Sequence, residues 1–214
     1  MRVLLLHAFP LDERMWEPQH DVLAGWDWTA PNLYELPGAS MEEWAAAVAE
    51  RVPDEIVAVG ASMGGYLALE LARQAPERVR GLLLAGSRSG ADSPERRAFR
   101  DETIRVLQED GVDVWSAGGP HEIPTTTTAG DLVRATQALR DRPDASDVVS
   151  SFQRPLVLVV GEEDELLSVD EARAIADSAP DGTLEVVRDA GHIVSLDQPE
   201  RFNAILRDFL ERCA

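Results

Sequence analysis

The chemistry-bearing feature of this chain is Gly60-Ala61-Ser62-Met63-Gly64, which has the pattern G-x-S-x-G. The apolar run Ile56–Val59 leads into it, and a helical pattern from Gly65 to Ala75, ended by Pro76, leads out. A serine on so sharp a strand-to-helix turn has its hydroxyl lifted clear of the sheet, where it can act as a nucleophile. Gly60 and Gly64 carry no Cβ and so clear the flanks of the turn. The helix that follows aims its unpaired N–H groups at an incoming oxyanion. A glycine-rich phosphate turn or a close-packed strand–helix corner would use the same residue types.

A serine hydroxyl needs a base to take its proton. Four histidines are available: His7, His20, His121 and His192. His192 follows Gly191 after the last strand pattern and before the final helix, where the order serine, acid, histidine would put the base. His7 ends the first strand and can shape the neighbouring loop, while His20 and His121 lie in polar surroundings that suggest surface positions. The acid that orients the imidazole is read as Asp164, just past the strand Leu156–Val160. Glu162, Glu163 and Asp92 compete with it, and Asp197 reads instead as a helix cap. Two backbone donors for an oxyanion are expected at Met63 and at Phe9, since Pro10 has no N–H to offer. His7-Ala8-Phe9-Pro10 could equally be a tight strand exit.

Composition narrows the alternatives. All 20 basic residues are arginine, which removes Schiff-base chemistry, a P-loop lysine and Ser–Lys hydrolysis. Against them stand 39 Asp and Glu, for a net charge of −19, which disfavours a nucleic-acid groove or an anionic membrane surface. No histidine pair has zinc-ligand spacing, so neither metal nor other cofactor is expected. The single cysteine, Cys213, allows no internal disulfide and suggests a reducing compartment. Val3 to Leu6 is too short for a signal peptide or membrane span, so a cytoplasmic protein comprising the whole chain is expected.

The elements that must position these residues read as an α/β alternation in one domain, residues 1–214. Strands are expected at Val3–His7, Trp26–Ala30, Ile56–Ala61, Gly81–Ala85, Leu156–Val160 and Leu184–Val187. Several are continuously apolar, as strands buried on both faces of a parallel sheet are. Capping boxes are read at Ser40/Glu43, opening Met41–Arg51, at Ser168/Glu171, opening Val169–Ser178, and at Asp197/Glu200. After the third, Phe202, Ile205, Leu206, Phe209 and Leu210 form one apolar stripe. Between Gly86 and Arg154 no strand is evident. Ser93-Pro94 starts one helix that ends near Gly111, Thr128 to Leu139 makes another, and Gly118-Gly119-Pro120 and Thr125–Thr128 read as loop. This segment, residues 87–153, is a lid candidate because ligands bind at the carboxyl ends of parallel strands.

The stretches Val3–Trp16 (VLLLHAFPLDERMW), Val57–Ala75 (VAVGASMGGYLALELARQA), Val157–Asp164 (VLVVGEED) and Asp189–Leu210 resemble the α/β-hydrolase superfamily. They are similar in particular to small bacterial carboxylesterases and lactonases of the pimeloyl-carrier methyl esterase and 3-oxoadipate enol-lactonase kind. The resemblance implies a mostly parallel sheet of about six strands with flanking helices; as departures from the family's pattern, the customary first hairpin is expected to be missing and the helical lid to be short, with about two helices. It also implies a nucleophile at Ser62, an acid at Asp164, a base at His192 and oxyanion donors at Phe9 and Met63. His7-Ala8 replaces the usual His-Gly of the oxyanion loop. Hydrolysis of short to medium carboxylic esters through an acyl-enzyme is the expected activity. Lactone hydrolysis, carbon–carbon cleavage or perhydrolysis would use the same groups, and a non-catalytic small-molecule binding protein would use the fold alone. Met15, Trp16, Met63, Trp115 and Ile193 are expected to line the substrate cleft.

Overall fold

Along the first strand, side chains alternate between two cores. Leu4 and Leu6 enter one, and Val3 and Leu5 enter the other. The same division runs through the central strands, with Ala58, Leu82, Leu84 and Leu158 on one face and Val57, Val59, Leu83 and Val159 on the opposite face. A strand apolar on both faces must be covered on both, and a parallel sheet between two helical layers achieves this.

The computed structural model describes residues 1–52, 55–112 and 126–214. Its strands are β1 (Arg2–Leu6), β2 (Trp28–Thr29), β3 (Ile56–Ala61), β4 (Val79–Ala85), β5 (Leu156–Gly161) and β6 (Gly182–Val187). They form a six-stranded sheet in the order β2-β1-β3-β4-β5-β6, and every pairing is parallel. The expected strand over Trp26–Ala30 shrinks to two paired residues at the sheet edge, where only β1 is available as a neighbour. The chain leaves β1 to one side for β2 and returns on the other for β3. The crevice between the carboxyl ends of β1 and β3 is therefore the topological switch point, the usual ligand position in such sheets.

The helices used below are α1 (Met41–Arg51), α2 (Met63–Gln74), α3 (Pro94–Glu109), α4 (Ala129–Asp141), α5 (Ser146–Ser151), α6 (Val169–Ser178) and α7 (Pro199–Cys213). The stripe on α7 is buried as its spacing requires: Phe202, Ile205, Leu206, Phe209 and Leu210 all face the sheet. Ser40 and Ser168 cap α1 and α6 by accepting from the N–H groups of Glu43 and Glu171, at 3.1 and 3.2 Å. Neither box closes in the reciprocal form. Glu43 accepts from Ala39 N–H at 2.8 Å, and Glu171 reaches across to Arg88. The Asp197/Glu200 box is not formed, because α7 begins at Pro199 with Gln198 as its cap.

Between β4 and β5 the described residues hold α3, α4 and α5 and no strand, so the segment carries a third short helix beyond the two expected. Thr128 and Asp131 cap α4 reciprocally. A buried ion pair anchors the segment. Asp92 lies 2.8 Å from Arg142 and 3.3 Å from Arg100, and the Arg142 guanidinium sits 4.0 Å above the Tyr66 ring of α2. This explains Asp92 as a buried anchor, paired with arginines. Trp115, His121 and the loop Gly118-Gly119-Pro120 lie outside the described residues. Among the described residues no helix is long and apolar enough to cross a membrane.

Candidate active site

Ser62 stands between β3 and α2 with φ 48° and ψ −109°, a left-handed backbone that a residue with a Cβ rarely adopts. Its surroundings hold it there. The Ser62 N–H donates to Ala85 O at 2.7 Å, and the Ser62 carbonyl accepts from Gly65 N–H at 3.0 Å and from the Ser87 hydroxyl at 3.0 Å. Ser87 is wholly buried and went unnoticed in the sequence, although a Gly-Ser pair directly after β4 at the sheet's carboxyl edge was a signal for it.

The glycines of the motif are required by close approach. A Cβ on Gly64 would lie 2.0 Å from the Leu6 carbonyl oxygen, and one on Gly60 would lie 2.4 Å from Gly64 O. Gly64→Ala should therefore destabilise the protein by about 1–3 kcal/mol through overpacking, read as a lower urea midpoint. An unchanged midpoint would contradict the packing described here.

Three side chains from three different loops meet at this turn. His192 Nε2 is 2.9 Å from Ser62 Oγ, and His192 Nδ1 is 3.0 and 2.9 Å from Asp164 Oδ1 and Oδ2. A proton on Nδ1 donated to Asp164 leaves Nε2 free to accept from the serine hydroxyl. The Asp164 side chain is 0% exposed, and that of His192 is 20% exposed. Burial pushes the Asp164 carboxyl up. The hydrogen bond and charge of His192, with the N–H groups of Leu166 and Leu167 at 2.8 and 3.0 Å, outweigh burial and hold it below the usual carboxylate range. Glu162 and Glu163 are exposed and Asp92 is paired with arginines, so Asp164 is the carboxylate that meets the imidazole.

The two loops are tied together. Glu163 N–H donates to Ala190 O at 2.9 Å, an approach open because Gly161 has no Cβ, which would lie 2.2 Å from that oxygen. Asp197 accepts from Gly191 N–H at 2.9 Å and so fixes the residue before His192. Sequence reading missed this second tie because Asp197 also fits the local spacing of a cap.

On the opposite side of the turn, His7 is fully buried. Its Nε2 accepts from Leu33 N–H at 2.8 Å and its Nδ1–H donates to Ala8 O at 3.0 Å, which fixes the neutral tautomer. Ala8 N–H in turn donates to Met15 Sδ at 3.1 Å. These bonds shape the loop that carries Phe9, as expected of His7. Met63 occupies the first position of α2, where an amide has no acceptor within its own helix.

Burial lowers the His7 pKa from 6.5 to about 4, against the Ala8 hydrogen bond and the Asp12 charge. As pH falls below 6.5 the unfolded chain takes up a proton there that the folded chain refuses. Stability is fully present above that value and declines toward pH 4, by up to about 3 kcal/mol. Urea denaturation at a series of pH values should show the decline in the native sequence and lose most of it in His7→Gln.

The expected cleft residues are placed differently. Trp16 is 0% exposed and packs on Phe202 with ring centroids 6.0 Å apart. Met15, Trp16 and Ile193 belong to the core between the sheet and α7, because their apolar bulk fills that layer. Met63 lies in the core of the other layer. Trp115 is outside the described residues, and His20 is exposed, its ring tilted 34° against that of Trp28 with centroids 4.9 Å apart.

A model of the alpha/beta hydrolase family matches residues 3–205. The chain belongs to the alpha/beta hydrolase family. As a hydrolase of this family it is 26% identical to a pimeloyl-[acyl-carrier protein] methyl ester esterase of Aromatoleum aromaticum, over 96% of either chain. A thermophilic esterase from Thermogutta terrifontis superposes with a TM-score of 0.92 at 28% identity, covering 100% of this chain and 90% of that one. The enol-lactonase from Burkholderia xenovorans LB400 shares the fold, with a TM-score of 0.83 at 18% identity and coverage of 98% and 91%.

Proposed function

We propose that this hydrolase is a carboxylesterase that works through a covalent acyl-enzyme on Ser62, with His192 as general base and acid and Asp164 as the orienting carboxylate. The observation that supports the reading is the continuous hydrogen-bonded chain from Ser62 Oγ through His192 to Asp164, with separations of 2.9–3.0 Å. In the first half-reaction Ser62 Oγ attacks the ester carbonyl carbon while its proton passes to His192 Nε2. The tetrahedral oxyanion is received by the Phe9 and Met63 N–H groups, and the positive end of α2 adds to its stabilisation. His192 then returns the proton to the leaving alkoxide, and the alcohol departs. Water repeats the sequence on the acyl group, giving its proton to His192 and freeing Ser62 with the carboxylic acid. Asp164 stays ionised throughout and stabilises the transient imidazolium.

Esters are the favoured substrates because the methyl ester esterase at 26% identity and the thermophilic esterase at 28% each match nearly the whole of this chain. A short to medium acyl group, lid action by the segment between β4 and β5, and a cytoplasmic setting complete the proposal. A fluorophosphonate probe should label Ser62, and a chain-length series of p-nitrophenyl esters should be hydrolysed faster than lactones or diketones. Faster turnover of a lactone or a diketone would replace the ester reading with cleavage of that bond. No labelling of folded protein would favour a binding protein instead.

A further inference from the structure

Asp164 is surrounded by more than its histidine. The Leu166 and Leu167 N–H groups both donate to its Oδ1, at 2.8 and 3.0 Å. The Leu167 N–H shares one peptide unit with the Leu166 carbonyl, and that carbonyl accepts from two arginines. Arg88, in the loop after β4, donates to it through Nη2, and Arg96, in the first turn of α3, donates through Nη2 at 3.1 Å. Cations thus sit on the oxygen side of the peptide and an anion on its hydrogen side. Hydrogen bonds in such a line polarise one another and strengthen together.

Resting on the assignment of Asp164 as the orienting acid, we propose that Arg88 and Arg96 are positioning residues. They polarise the Leu166–Leu167 peptide so that its N–H grips the Asp164 carboxylate and sets its plane toward His192. Two guanidinium groups converging on one oxygen repel each other, and burial together with Arg88 pushes the Arg96 pKa down. Such an arrangement persists only where other contacts offset the repulsion. Glu171 provides one: its carboxylate meets Arg88 Nε at 2.5 Å and Nη2 at 3.0 Å, which is where the glutamate of the unclosed capping box has gone. The Arg88 side chain is 11% exposed and that of Glu171 41%, so the pair is buried at its arginine end and open to water at its carboxylate end. Leu166 is 51% exposed, whereas Leu167 is fully buried. The arginines add a side-chain bridge from the segment after β4 to the loop after β5, beyond the pairing of those strands in the sheet. A shift in the crossover between β4 and β5 would reach Asp164 through them.

The test compares four variants with the native protein: Arg88→Gln/Arg96→Gln, Arg96→Gln, Glu171→Gln and Arg88→Lys. Readouts are kcat and KM on p-nitrophenyl acetate, thermal melting, and the low-field proton resonance of His192 Nδ1–H. A carboxylate left free to rotate should lower kcat about tenfold in the double variant, with KM unchanged and the resonance moved upfield. Arg96→Gln should lose less, and Arg88→Lys should recover part of the loss. Glu171→Gln removes the charge that offsets the arginine repulsion but keeps a side-chain oxygen for Arg88, and should lose less of kcat than the double variant. The proposal is overturned if the double variant keeps native kcat, if its resonance is unmoved, or if Glu171→Gln alone reproduces the loss. A native protein inert to esters and to the fluorophosphonate probe would overturn the proposed function, and the resonance would still decide the role of the arginines.

Discussion

Ser62→Ala is expected to lower kcat for p-nitrophenyl acetate by about 10⁴–10⁶-fold, while melting temperature changes little. The methyl group fits where the Ser62 Cβ already sits, and the backbone contacts of the turn, to Ala85, Gly65 and Ser87, remain. What disappears is the oxygen that forms the bond to the acyl group. A loss of this size corresponds to about 5–8 kcal/mol of barrier, far more than a misplaced donor would cost. Residual turnover should come from the oxyanion donors and substrate binding alone. Native-level hydrolysis by this variant would remove the acyl-enzyme mechanism, and with it the proposed function.

Asp164→Asn should cost about 10³–10⁴-fold in kcat, for a different reason. An asparagine can turn its amide nitrogen toward His192 Nδ1, which then accepts and forces the proton onto Nε2. In that tautomer Nε2 cannot take the hydroxyl proton of Ser62, although all three side chains remain in place. Steady-state kinetics on the purified variant, with unchanged far-ultraviolet circular dichroism, checks this. The variant should also lose a piece of acid-side stability. In the native protein the lowered carboxyl contributes stability above the usual carboxylate range and gives it up as pH falls through its folded value. A variant with both native kcat and native acid sensitivity would show that Asp164 is not the orienting group.

Much of this architecture was legible in the chain because it rests on local periodicity. Runs such as Leu82–Ala85 and Leu156–Val160 are apolar at every position, and only a strand covered on both faces accommodates them. The α7 stripe and the Ser93, Thr128 and Ser168 caps likewise follow from spacing within a few residues. Reading faltered where one local pattern admits two uses. Asp197 and Glu171 both sit at capping positions, yet one holds Gly191 N–H and the other Arg88. Trp16 and Met15 are apolar and close to the first loop, which fits a cleft wall and a core equally well. Only the position of α7 decided for the core.

By itself the sequence determined the alternation of strands and helices, the strained serine turn and the absence of any lysine chemistry. The tertiary structure alone decided which carboxylate meets His192, and what stands behind it. Ser62 and Asp164 are 130 and 28 residues from the imidazole they contact. Groups so far apart are brought within hydrogen-bond reach by the order of strands in the sheet and by ties between loops. Hydrogen bonds lose their strength within an ångström or so, a precision that residue spacing along the chain does not encode.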